Sequence, residues 1–171
     1  GLLEVGLSVT PDDAIYEQLK TEFLDDYTKH CCDHVIAFEG IGLLLSAIEK
    51  LGWDWGIVTN KNSAFTDPIV NHLKWNERAK IIVSGDATGK LKPNPDNLLW
   101  ALEKSGHQAA QTVYIGDDLR DCQAAHAAKL PFVAASWGYL GKSRDINQWQ
   151  ADFIAQNPEE LLIWLKAYFD E

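Results

Sequence analysis

The chain has no methionine, only three cysteines, fifteen basic residues against twenty-five acidic ones, and no long unbroken apolar run. Each shortage excludes something. A net charge of −10 gives no electrostatic basis for holding nucleic acid or an anionic membrane surface. No stretch reaches the roughly 20 apolar residues of a membrane-spanning helix, and no charged-then-apolar leader opens the chain. Cys31, Cys32 and Cys122 are odd in number and lack metal-type spacing, so a disulfide framework is not indicated and a reducing cytoplasm is the default. His30 and His34 flank the cysteine pair, yet adjacent cysteines do not readily share one tetrahedral ion. A sequence that starts at Gly1 without any methionine is expected to begin downstream of its gene's start.

What is present is a series of βα units. At 171 residues and 46% hydrophobic, the chain can build one well-cored domain and a fragment of a second. Residues 1–10 are apolar without a pattern. From 12 to 34, Ile15, Leu19, Phe23, Leu24 and Tyr27 recur at helical spacing, as one amphipathic helix or two short ones. A helix over 41–51 follows. Then come strands at 55–60, 80–84, 112–115, 131–135 and 152–155, with helices at 63–74, 94–105, after 121 and at 158–169. Strands alternating with helices predict a mostly parallel sheet with helices on both faces.

The stretch 112–121 carries the densest chemistry. A β-branched strand stops at Gly116, and Asp117, Asp118 and Asp121 follow within five positions. Ligands of open α/β sheets bind at the carboxyl ends of strands. Asp117 at the strand tip and Asp121 in the first helical turn can face one crevice. Clustered carboxylates suit Mg²⁺, which takes one or two of them plus phosphate and water oxygens. The plainer alternative is that Asp118 or Asp117 caps the helix and Asp121 complements its dipole.

A further strand end and the loop after another carry polar residues. Thr59 closes its strand with a hydroxyl, and the Asn60 and Lys61 amides after it are placed to bind an anion. Lys92 sits between Leu91 and Pro93-Asn94-Pro95, a stiff turn from which an ammonium can neutralise a phosphate, while Lys90 is the solvated one. Gly85-Asp86-Ala87-Thr88-Gly89-Lys90 has a superficial P-loop look. It is one residue short, and Leu91 stands where Ser or Thr must ligate magnesium.

In this order, Val58-Thr59-Asn60-Lys61, Lys92-Pro93-Asn94-Pro95 and Gly116 to Asp121 resemble the second, third and fourth motifs of the haloacid dehalogenase superfamily. With Gly138-Tyr139, the chain resembles the phosphoglycolate phosphatase-like branch, and its wording is similar to bacterial N-acetylmuramic acid 6-phosphate phosphatases. The resemblance implies a Rossmann-like α/β core over 35–171 and the end of a helical cap over 1–34. It implies a Mg²⁺-dependent phosphomonoesterase working through an aspartyl-phosphate on a small phosphorylated metabolite. Thr59 and the Asn60 amide would hold phosphoryl oxygens, and Lys92 would balance their charge. Asp117, with Asp118, would serve the metal, and Asp121 would orient metal-bound water or Lys92.

The family's Asp-x-Asp nucleophile motif is absent, since no two aspartates here are separated by one residue. The core is therefore expected to lack its first strand, which in the family lies between the strand ending at Thr59 and the one ending at Ile115. A gap there would be filled by another segment or closed by an atypical strand order. Two alternatives carry no such chemistry: a non-catalytic phosphate-binding relative, and a plain binding or scaffold module. A signalling receiver domain also groups acids, threonine and lysine around Mg²⁺, but there the acidic pair comes first in the chain. The sequence carries no signal for oligomeric state.

Overall fold

The computed structural model describes residues 2–140 and 145–170, except the side chain of Leu2. Two helices come first, α1 (Leu2–Leu7) and α2 (Tyr16–His30). The α1 helix lies in a stretch without readable periodicity. The α2 helix is single, buries none of its residues fully, and leaves Phe23 and Leu24 more than a third exposed.

The alternating part runs α3 (Ile41–Lys50), β1 (Gly56–Val58), α4 (Ser63–His72), β2 (Ile81–Val83), α5 (Asp96–Ser105), β3 (Tyr114–Gly116), α6 (Leu119–Ala127), β4 (Phe132–Ala135), β5 (Phe153–Ala155) and α7 (Pro158–Asp170). Every strand pair is parallel. Strand β4 is buried on both faces, and its alternation divides the core. Phe132 and Ala134 pack with Leu98 of α5 and with Cys122, Ala124 and Ala125 of α6. Val133 turns to the other face, against Leu44 and Ile48 of α3 and Leu161 and Leu165 of α7. Helices thus cover both faces, as period-2 strands require.

The single sheet expected from the βα alternation is divided in two. One part is β1-β2 and the other β3-β4-β5. Among the described residues no ladder joins β1 to β3, and the strand order has not closed up. Between them lies a cavity of about 680 Å³, lined among others by Trp53, Trp55, Val58, Leu98, Val113 and Ile115. A side chain reaches across it: the Tyr114 hydroxyl of β3 donates to the Val58 carbonyl of β1 at 3.1 Å. With partners on one side only, β1 and β3 are three residues long, shorter than their apolar runs suggest. Of the Trp-Gly-Tyr-Leu-Gly stretch that follows the apolar run 131–135 in sequence, Gly141 lies outside the described residues.

Candidate active site

The loops after β1 and β3 and the turn before α5 meet at one end of the two sheets. The Thr59 amide donates to the Val83 carbonyl at 2.9 Å, extending β1 by one residue before the chain turns. In that turn the Lys61 amide donates to Thr59 Oγ1 at 3.1 Å. Of the two amides expected to be open to an anion, Lys61's is therefore engaged within the turn. The Asn60 side chain has its own task. Its Nδ2 donates to the Lys92 carbonyl at 3.0 Å and its Oδ1 accepts from the Lys92 amide at 2.8 Å. This two-way clamp joins the β1 loop to the Lys92 turn across 32 residues of chain, and leaves only the Asn60 backbone for the expected phosphate contact.

Lys92 is the electrostatic centre. Its ammonium donates to the Val58 carbonyl and the Tyr114 hydroxyl at 2.8 Å each, and meets Asp121 Oδ1 at 2.7 Å. These three acceptors match the three N–H bonds of a lysine. The Lys92 and Asp121 side chains are 9% and 10% exposed, so this ion pair is essentially out of water. Asp121 Oδ2 turns the other way and accepts from the Asp117 and Asp118 amides at 3.3 and 3.2 Å. One carboxylate thus fastens Lys92 to the β3–α6 turn. It can come so close because residue 116 is glycine: a Cβ there would stand 2.6 Å from Asp121 Oδ2.

The other two acids part company. Asp118 caps α6, its Oδ1 accepting from the Arg120 amide at 2.8 Å, and its two oxygens also take the Arg120 guanidinium at 2.9 and 2.8 Å. The Arg120 hydrogen bonds hold this carboxyl below its usual range. Asp118, placed with Asp117 on the metal by the resemblance, spends its oxygens on cap and arginine, as the capping alternative has it. Asp117 faces the loop after β4, where its Oδ2 accepts from the Tyr139 amide at 2.6 Å. Gly138 makes that approach possible, since a Cβ there would collide with the Asp117 side chain. Thr59, Lys92 and Asp117, far apart in sequence, thereby converge at one end of the sheets.

Two participants carry no local signal. Tyr114 reads as another core residue of its strand, yet its hydroxyl bridges Lys92 and Val58. Burial first, then the charges of Asp121 and Asp117, hold its phenol well above the usual range, so it stays neutral. Tyr27 of α2 reads as part of an apolar stripe, yet its hydroxyl accepts from the Lys61 ammonium at 2.6 Å. Cys122, next to the acids, is buried, and Cys31 and Cys32 are free thiols 3.7 Å apart.

A parallel α/β core thus carries a hydroxyl-bearing turn, a buried lysine and three carboxylates at its strand ends, where ligands of open α/β sheets bind. Residues 8–135 match the family model described as haloacid dehalogenase-like hydrolase. The chain is 39% identical over 157 residues to the N-acetylmuramic acid 6-phosphate phosphatase of Pseudomonas aeruginosa, covering 92% of this chain and 69% of that one. It is 40% identical over 150 residues to a phosphoglycolate phosphatase of Xanthomonas campestris pv. campestris, covering 88% and 68%. The crystal structure of a predicted phosphoglycolate phosphatase from Haemophilus somnus shares the fold, with a TM-score of 0.81 at 23% identity over 92% of this chain and 68% of that one. The chain belongs to the haloacid dehalogenase-like hydrolases. No helix of the described residues is long and apolar enough to cross a membrane.

Proposed function

We propose that the gene product carrying this chain is a cytoplasmic, Mg²⁺-dependent phosphomonoesterase whose substrate is a small metabolite, phosphoglycolate or N-acetylmuramic acid 6-phosphate. One observation carries the reading: Thr59, Lys92 and Asp117 meet through the Asn60 clamp and the Asp121 bridge. Thr59 Oγ1 and the Asn60 amide hold phosphoryl oxygens. Lys92 supplies the positive charge that a chain of net charge −10 otherwise withholds from a phosphate. Asp121 positions Lys92, meeting its ammonium at 2.7 Å. Such a site works by placing charge where the transferring group needs it.

For the metal, the described residues offer no cluster of three or more ligating side chains. Asp118 is committed to Arg120 and Asp121 to Lys92, which leaves Asp117 as the carboxylate donor. Mg²⁺ is often held by one or two carboxylates, the rest of its shell being phosphate and water, so the donor set fits. When bound, the ion neutralises charge on the phosphoryl oxygens. The nucleophilic aspartate lies outside these 171 residues, on a strand that fits between β1 and β3. The cavity there supports this, because neighbouring strands sit about 4.8 Å apart and a gap of about 10 Å takes one more. The test is phosphate release from both substrates by the complete gene product with Mg²⁺, beside residues 1–171 alone. The complete protein turns over at least one and the isolated chain neither. Phosphate binding without turnover by the complete protein would make it a non-catalytic relative, and activity of residues 1–171 alone would refute the missing nucleophile.

A further inference from the structure

Lys61 lies two residues past Thr59 and is tied to it by its amide, yet its ammonium points out of the core to a different layer. It meets Tyr27 of α2, 2.6 Å from the hydroxyl and 4.8 Å from the ring centroid. Tyr27 is itself wedged, stacked on Phe23 at 6.0 Å and edge-on to Phe65 at 5.1 Å. Both side chains are half-buried. The neighbouring cations of the site each have a carboxylate partner, Lys92 in Asp121 and Arg120 in Asp118. Among the described residues, Lys61 meets no carboxylate; its partner is a phenol. One of its three N–H bonds goes to Tyr27, and the Tyr27 hydroxyl, accepting that bond, still has its own proton to give. The pair therefore presents two kinds of donor and one uncompensated positive charge beside the phosphoryl-binding turn.

We infer that Lys61 and Tyr27 form a subsite for a carboxylate on the alcohol side of the substrate, so that the enzyme selects phosphomonoesters of hydroxy acids. This rests on the phosphatase reading above. The alcohol part of a phosphomonoester projects away from the groups that hold its phosphoryl oxygens, and Lys61, whose amide is bonded to Thr59 in that turn, carries its ammonium from there to the Tyr27 hydroxyl of α2. Phosphoglycolate carries a carboxylate directly on its ester-bearing carbon, and N-acetylmuramic acid 6-phosphate carries one on its lactyl ether. The two differ in size but share that charge.

The experiment pairs each substrate with an analogue lacking the carboxylate, in the complete gene product with Mg²⁺. Phosphoglycolate is set against 2-hydroxyethyl phosphate, and N-acetylmuramic acid 6-phosphate against N-acetylglucosamine 6-phosphate. Lys61→Met should lower the carboxylate-to-analogue ratio of kcat/KM by about ten- to a hundredfold for the pair the enzyme uses, the scale of a lost charge-assisted hydrogen bond. The loss should fall on KM rather than kcat. Tyr27→Phe should lower the ratio less, and Lys61→Arg should restore part of it. Whichever pair responds identifies the source of the carboxylate. Equal losses on substrate and analogue, or an unchanged ratio in both Lys61→Met and Tyr27→Phe, would overturn the subsite while leaving the phosphatase intact. A wild-type protein that hydrolyses none of the four compounds would overturn both.

Discussion

Replacing Lys92 by methionine keeps the length of the side chain and removes its charge. It strands Asp121, whose side chain is only 10% exposed, without a cation. The Val58 carbonyl is spared, because it still accepts from Tyr114. Breaking one partner of a buried ion pair costs about 3–5 kcal/mol. At about 2–4 °C per kcal/mol for a domain of this size, the melting temperature should fall by roughly 6–20 °C. Asp121→Asn should cost a similar amount by stranding the ammonium, although its amide oxygen still accepts from the Asp117 and Asp118 amides. The double variant has no buried charge left. It should be more stable than the sum of the single effects by about 0.5–3 kcal/mol, the range for coupled neighbours. It should remain inactive, because rescuing the charge balance does not restore a cation to the phosphate. Thermal melts of the four proteins, each with a turnover assay, measure this. Additive losses, or a Lys92→Met protein melting within about 2 °C of wild type, would refute the buried pair as the centre of the site.

Two further predictions concern neighbours of the site. The Asp118 carboxyl is held below its ordinary 3.8, so its contribution to stability is present above that pH and is lost as pH falls through the lowered value. Asp118→Asn, still a good cap, should flatten the acid limb of a stability–pH curve at a cost of about 0–1 kcal/mol, and should leave turnover within about threefold; a loss like that of an essential ligand would put Asp118 on the metal. Burial raises the Cys122 thiol to about 11 from 9.0, so its contribution is complete below pH 9 and disappears as pH rises toward 11. Cys122 should resist alkylation at pH 8 in the folded protein, and Cys122→Ser should keep the hydrogen bond to the Trp149 carbonyl and flatten that alkaline limb; rapid labelling would contradict its burial.

Much of this site is legible in sequence because its parts sit at strand ends. Thr59 and Asp117 each follow an apolar run, Lys92 sits in a proline-stiffened turn before a helix, and the alternating α/β arrangement brings such positions to one edge. The roles of individual oxygens were not legible. Asp118-Leu119-Arg120-Asp121 starts a helix whether its acids cap it or hold a metal, and the choice depends on Arg120 and Lys92, which no local pattern orients. Tyr114 and Tyr27 look like core residues because an aromatic at an apolar position usually is one; their hydroxyls matter through partners 22 and 34 residues away. The α1 helix has no repeating apolar face to show itself. The divided sheet is a non-local feature, set by β1 and β3 not pairing with each other, and no single element records it.

The account stands most directly on Asp117. Asp117→Asn preserves the shape of the side chain and its capacity to accept from the Tyr139 amide, and removes only the charge. In the complete gene product, Mg²⁺-dependent turnover of the preferred phosphomonoester should fall at least about a hundredfold, the scale of losing an electrostatic catalytic group, with Cys122→Ser near wild type as the control. Turnover of Asp117→Asn within about threefold of wild type, or equal losses in both variants, would contradict the site assigned here.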